Sequence, residues 1–355
     1  MADRDEERDG RRGSRDTGAS PRPTIRTIAE RAQVSIATAS RALNDTGRIG
    51  EETRKRVRKV AQELSYRPSS TARALVHRRT FTLGLLTNDR YGRFTLPMLA
   101  GVSEALADED VSIFLCAEEY GPDRLRANIA AMDARGVDGL VVTGKRIDKG
   151  VPAELLPQGI PVVFVHSAAA LGAHRFIGDD EGGAHAATSH LAACGRRRIA
   201  HVSGPATFLA ARLRADGWRR ALEERGLAPF GDALHGTWTE AHGFEVARHL
   251  FDRPRSERPD AVFCGNDQIA RGLIDSLALM GLDVPDDAAV AGFDNWDVFA
   301  EATRPPLTTI DPQLKTLGRA AGMRMLDLIN GKRVDPGTVS IPGVLVKRRS
   351  CGLEP

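Results

Sequence analysis

The chain has 355 residues, 41% of them hydrophobic, which suits two or three packed domains rather than one. Its net charge is only +3, and its four cysteines (Cys116, Cys194, Cys264, Cys351) form no C-x-x-C pair, which argues against a disulfide framework and suits reduced thiols. No apolar run approaches the roughly 18 residues needed to span a bilayer, and the amino terminus lacks the apolar core of a secretory signal; a cytoplasmic protein with no membrane partner is expected.

Residues 1–23 hold six basic and six acidic residues and almost no large apolar side chain, so a disordered tail is expected there. From Thr24 to Thr80, 13 Arg and Lys stand against five Asp and Glu, while the chain beyond Thr80 is net acidic by five. A basic head on an acidic body is the electrostatic footprint of a nucleic-acid binder. Within the head, Ile25, Ile28, Ala29 and Ala32 recur at the spacing of one buried helix face. The break Gln33-Val34-Ser35 follows, with Ser35 placed to cap the next helix. In that second helix Ala39 and Leu43 are expected to face inward, and Ile36, Ala37 and Arg41 outward. A third helix repeats the pattern through Val57, Val60, Ala61 and Leu64.

Two helices joined by a tight turn, the second with a small uncharged leading edge, fit a helix-turn-helix. Arg41 is long enough for a bidentate bond to guanine O6 and N7. Arg54, Lys55, Arg56, Arg58 and Lys59 would set cations near the phosphate backbone, although a charge run on a helix is often only a solvated face. Pro68 cannot extend the third helix. The following SSTARALV offers a helix too short to stand alone, which by its residues reads as a flexible linker.

The wording is more specific than the pattern. V-S-x-x-T-x-S-R-x-L-N at 34–44, E-E-T-R at 51–54 and Y-x-P-S-x-x-A-R-x-L at 66–75 occur in order. With them the chain closely resembles the lactose-repressor/galactose-repressor (LacI/GalR-type) family of transcriptional regulators, and the resemblance runs to about Ser350. It implies a helix-turn-helix DNA-binding domain at 24–67, a hinge helix at 68–80 and an effector-binding, dimerising core at 81–355. DNA contacts are then expected from Thr24, Ser35, Ile36, Ala37, Thr38, Ser40, Arg41 and Asn44 around the reading helix, and from Arg54 and Tyr66 beside it. The hinge would add Ser69, Ala72, Arg73 and Leu75, the last matching a leucine that wedges between base steps in the minor groove. Two positions depart from the family. Gln33 stands where the turn often has glycine, and Gly50 where a capping serine is expected before Glu51.

From Phe81 onward the short apolar runs FTLGLL, VSIFLC, GLVVT, PVVFV, RIAHVSG, AVFCG and AAVAGF alternate with segments of helical spacing. That pattern predicts an α/β fold with parallel sheets, in more than one lobe. The resemblance implies a two-lobed periplasmic-binding-protein-like core of two parallel, doubly wound sheets. Lobe one would be about 81–178 and 311–342, and lobe two about 179–310 and 343–355.

Ligands in such sheets bind beyond the carboxyl ends of the strands. There the sequence places His166, Asn266, Asp294 and Trp296, with Arg214 and Trp238 after RIAHVSG. Carboxylates, an amide, an arginine and aromatic faces suit a polyol. The resemblance assigns Arg214, Asn266 and Asp294 to the inducer cleft and Trp238 to a sugar-stacking aromatic. His166 stands where Asp, Asn or Arg is usual, Ala210 where the lactose-binding member has a sugar-bonding serine, and Phe94 is a wall in a loop lacking the usual S-N-P-F wording. A structural role is the alternative for Asp294, Trp238 and Trp296. DDEGG at 179–183 reads as a helix start carrying favourable negative charge. The sequence has no metal-ligand spacing, no G-x-x-x-x-G-K-[ST] and no G-x-S-x-G, so no catalytic residue, metal or cofactor is expected.

The expected protein is a homodimer, or a tetramer built from it, on a palindromic operator. It would be a repressor of carbohydrate uptake or breakdown genes answering to a sugar-like effector. An activator, or a regulator with a protein corepressor, carries the same features; the basic head opposes a free sugar-binding transport component.

Overall fold

The computed structural model describes residues 23–66, 79–89, 91–117 and 121–352. The tail expected at 1–23, apart from Pro23, and the hinge positions Ser69, Ala72, Arg73 and Leu75 lie outside the described residues. The chain divides into two compact units, 1–78 and 79–355.

The first unit holds three helices, α1 (Ile25–Arg31), α2 (Ile36–Leu43) and α3 (Glu51–Glu63). Their core is built from Ile28, Ala29, Ala32, Ala39, Ala42, Val57 and Ala61, mostly small residues that let three short helices approach closely. Leu43, expected inward, is only half-buried: Ala42 fills the buried position and Leu43 packs at the rim. Helix α1 starts with a capping box, in which Thr24 Oγ1 accepts from Thr27 N and Thr27 Oγ1 from Thr24 N, both at 3.3 Å. Ser35 Oγ caps α2 by accepting from Thr38 N at 3.1 Å. Gly50 gives α3 no side-chain cap, although Glu51 and Glu52 in the first turn suit the helix dipole. In the α1–α2 turn Gln33 adopts φ 52°, the left-handed region that favours glycine.

The second unit holds two six-stranded sheets. The first contains β1 (Thr82–Thr87), β2 (Ser112–Ala117), β3 (Gly139–Arg146), β4 (Val162–Ser167), β5 (His174–Gly178) and β11 (Gly337–Ile341), all parallel, in the order β11-β5-β4-β3-β1-β2. Leu83, Leu85, Val141, Val163 and Val165 face α4 (Thr95–Ala105) and α11 (Leu314–Ile329). Leu86, Leu140, Val142 and Phe164 face the other way, toward α5 (Pro122–Ala134).

The second sheet contains β6 (Ile199–Ser203), β7 (Leu234–His235), β8 (Ala261–Cys264), β9 (Ala289–Phe293), β10 (Thr308–Asp311) and β12 (Val344–Val346). The order is β12-β10-β9-β8-β6-β7, with only the β10–β12 pair antiparallel. Helices α6 (Asp180–Ala193) and α7 (Leu209–Glu223) cover one face, and α8 (Glu240–Phe251) and α9 (Asp267–Leu279) the other. A one-turn helix, α10 (Asp297–Ala300), follows β9.

The chain therefore passes between the sheets three times, after Gly178, Asp311 and Ile341. The second passage comes one residue later than the expected lobe boundary, because Asp311 still pairs with Val344 in the second sheet. The seven apolar runs are strands, but five further strands carried no such signal. HRFIG of β5 opens with two polar residues, TTID of β10 is short with three polar residues of four, GTVSI of β11 is an exposed edge, and β7 and β12 span two and three residues.

Candidate functional site

Helix α2 presents Ile36, Ala37, Arg41 and Asn44 to solvent, with Ser40 half-buried on the same side. Ile36 is 45% exposed, unusual for an isoleucine in so small a unit. Arg41 lies along Gly47, which has φ 70°; a Cβ there would come 3.3 Å from Arg41 Cδ. Thr38 is turned to its own cap, 2.9 Å from Ser35 Oγ, and Asn44 Nδ2 reaches back to Ser40 Oγ at 3.4 Å.

The cations of α3 are less free than their run suggests. Arg56 Nε donates to Ala32 O at the end of α1 (3.1 Å). Arg58 and Arg54 converge on Asp45, at 2.6 Å and 3.5 Å, and Lys55 and Lys59 sit 4.0 Å from Glu51 and Glu63. Tyr66 packs against the three-helix core, and burial raises its phenol pKa.

In the second unit a cavity of about 360 Å³ lies between the sheets. Every strand that feeds it does so from its carboxyl end. Asp89, Tyr91, Arg93 and Phe94 follow β1, Lys145 ends β3, and His166 ends β4. From the other lobe, Phe208, Ala210 and Arg214 follow β6, Trp238 follows β7, Asn266 and Gln268 follow β8, and Asp294 and Trp296 follow β9. All seven residues singled out from the sequence, Phe94, His166, Arg214, Trp238, Asn266, Asp294 and Trp296, line this one cavity.

Two residues that line the cleft, and one beside them, have unusual backbone. His166 (φ 50°), Asp294 (φ 106°) and Asn295 (φ 47°) are all left-handed, a strain that surrounding bonds must hold. The fully buried Asp267 braces the turn just after Asp294 and Asn295, accepting from Trp296 N at 2.8 Å and from Thr309 Oγ1 at 2.5 Å. Burial first, and then the neighbouring Asp294 carboxylate, push its pKa up to about 7. Trp238 lies flat on Gly204, where a Cβ would come 2.1 Å from the indole, and Phe208 meets its ring edge-on at 5.9 Å.

The polar groups are extensively engaged with one another. Arg214 Nε donates to Asp180 Oδ1 at 2.7 Å and Nη1 to Gly265 O, while the guanidinium lies 3.6 Å over the Phe293 ring. Arg93 reaches across the cleft to pair with Asp294, donates to Gln268 Oε1 at 2.9 Å, and stacks over Phe94 and Trp296 at 5.0 Å and 4.6 Å. A second bridge lies at the rim. Arg146 Nη2 donates to Thr207 O (2.9 Å), and Asp148 Oδ2 accepts from Leu209 N (3.2 Å) at the start of α7. The Arg146 side chain also holds the Asp148 carboxyl below its ordinary pKa. His166 stacks on Phe94 at 5.4 Å, and its buried Nδ1 has no hydrogen-bond partner among the described residues; burial lowers its pKa.

Arg93 and Asp180 carried no functional signal in the sequence. Arg93 sits in an irregular loop, and Asp180 lies 34 residues from the arginine it holds. A rule that asks which acid neutralises each buried arginine would have led from Arg214 to the acids at 179–181.

Residues 24–69 match the family described as bacterial regulatory proteins, lacI family, and residues 188–351 match the periplasmic binding protein-like domain. The chain is 31% identical to the HTH-type transcriptional regulator DegA of Bacillus subtilis (strain 168), over 92% of this chain and 97% of that one. It is also 31% identical to the ribose operon repressor of Escherichia coli (strain K12), over 92% and 99% of the two chains. The fold is similar to that of the lac repressor dimer bound to operator and the anti-inducer ONPF, with a TM-score of 0.76 and 27% identity over 93% of this chain and 99% of that one. No helix among the described residues is long and apolar enough to cross a membrane.

Proposed function

This chain belongs to the lacI family of bacterial regulatory proteins, and from that premise we propose that it represses carbohydrate uptake or breakdown genes under the control of a small sugar-like effector. It is a DNA-binding transcriptional regulator rather than an enzyme. The protein acts in the cytoplasm as a homodimer on a palindromic operator, because one short helix reads too few base pairs and two multiply the specificity. Helix α2 does the reading: Ile36 and Ala37 approach base edges, Arg41 bonds to guanine, and Thr24, Ser35, Thr38, Ser40, Asn44, Arg54 and Tyr66 support it at the backbone. The hinge segment with Ser69, Ala72, Arg73 and Leu75 enters the minor groove.

The effector occupies the cleft between the lobes and alters DNA affinity to the extent that it binds two conformations differently. The observation that supports this reading most is that one chain carries both an outward, capped helix edge and a cleft lined by Arg214, Asn266 and Asp294.

Selection of duplexes from a random library by the purified chain at moderate salt tests it. Enrichment of an inverted repeat is expected, with release or tightening by a cleft ligand. Recovery of random sequence would overturn the regulatory reading.

A further inference from the structure

The identity of the effector can be narrowed by asking which polar groups of the cleft are already used, an argument that rests on the cleft being the effector site. The acceptors are mostly taken. Asp89 Oδ2 accepts from Phe94 N (2.7 Å) and Thr95 N (2.9 Å) at the start of α4. Asp180 holds Arg214, and Asp294 lies between Arg93 and Arg214. Asn266 Oδ1 caps α9 by accepting from Ile269 N at 2.8 Å, and Gln268 Oε1 accepts from Arg93.

What remains is chiefly donors. Asn266 Nδ2 makes only one long bond, to Trp238 O at 3.4 Å, and Gln268 Nε2 makes none among the described residues. Lys145 lines the cavity from an exposed position, and its ammonium has no ion-pair partner among them. The buried His166 Nδ1 is unpartnered and suits one hydroxyl.

Each hydroxyl of a neutral sugar donates a hydrogen as well as accepting, and a cleft whose acceptors are mostly taken leaves those donors poorly paired. To reach Asp294 it would also have to separate it from Arg93, leaving the guanidinium of Arg93, only 13% exposed, without a carboxylate while Asp294 keeps Arg214. An anionic group avoids that cost by taking the carboxylate's place on Arg93, while Asp294 keeps Arg214 and receives the ligand's hydroxyl donors.

We propose that the effector is a polyhydroxylated anion, a sugar acid or sugar phosphate, whose acidic group is met by Arg93 and Lys145 while its carbon face stacks on Trp238. Arg93 is then the specificity-determining residue of the cleft, occupied by Asp294 until the ligand arrives.

Calorimetric titration of the full-length protein tests this with D-gluconate, D-galacturonate and D-glucose 6-phosphate, each beside an uncharged counterpart (D-glucitol, D-galactose, D-glucose). At least one anion is expected to bind tenfold or more tightly than its counterpart, and the carboxylate and phosphate arms identify the acidic group. Arg93→Gln should cut that ratio at least tenfold, and Lys145→Gln, at an exposed position, should lower it in the same direction. Circular dichroism and operator binding establish that both variants are folded. Neutral sugars binding as well as their acids, with the ratio unmoved in Arg93→Gln, would overturn the anion and leave a sugar-responsive cleft standing. Binding by none of the six would overturn both.

Discussion

Arg214 and Asp180 form a buried pair, Nε to Oδ1 at 2.7 Å. Both side chains are under 10% exposed. With Gly265 O and the Phe293 face also engaged, the guanidinium is fixed before any ligand arrives, so its orientation costs no rotamer entropy on binding.

Asp180→Asn keeps the shape and one acceptor but removes the charge. The variant is expected to lose roughly 1.5–3 kcal/mol of stability. Effector affinity should fall at least tenfold, and operator affinity without effector should hold. Titrating effector and operator separately distinguishes the two effects; an unchanged effector affinity would make the pair purely structural. Asp294→Ala is the companion, expected to abolish the effector response with DNA binding spared.

Arg41→Ala should relax preference at one base pair in each half-site while leaving the others unchanged, a loss of roughly 1–3 kcal/mol of discrimination there. Selection profiles of the two proteins measure this directly. Identical profiles would rule out base reading by Arg41.

His201 is fully buried between Phe263 (4.8 Å) and Trp218 (5.5 Å), and burial lowers its pKa from 6.5 to about 3. The unfolded chain therefore binds a proton that the folded chain refuses. Stability is fully present above pH 6.5 and is lost as pH falls from there toward 3. The loss is on the order of 5 kcal/mol by the time both states are protonated. His201→Phe should flatten that acid limb in urea unfolding between pH 6.5 and 4, and a slope equal to the parent's would assign the acid sensitivity elsewhere.

Gly50 precedes α3 with an extended ψ of 141°, no side-chain cap, and no atom within 4 Å of an added Cβ. Gly50→Ser supplies the missing acceptor and stiffens the unfolded chain, and should stabilise the head by about 0.5–1 kcal/mol. Thermal melts of the full chain would register it as a rise in the head's transition; a fall would mean that the loop entering α3 needs glycine.

The head was legible because its information is local: apolar residues at helical spacing, Thr24 and Ser35 at the caps, and the Val34–Asn44 wording. The cleft residues were legible by rank order, since His166, Asn266 and Asp294 each stand at or just after a strand's carboxyl end. What escaped depends on distant partners. Nothing near Arg93 announces Asp294, 201 positions away, and the acids at 179–181 look like any helix start until Arg214 arrives from another helix. The α3 cations looked like a phosphate-facing run because Asp45 and Ala32, which engage three of them, lie across a turn or on another helix.

The three passages between sheets lie against one another. Asp179 N donates to Ile341 O at 3.0 Å, and a Cβ on Gly178 would touch Pro312 O at 3.6 Å. Three strings laced into one narrow band resist shear and torsion but bend easily about their common line. If the effector seats in the cleft as proposed, the angle of that fold is what it would set, and a small change there is levered into larger travel at the far ends.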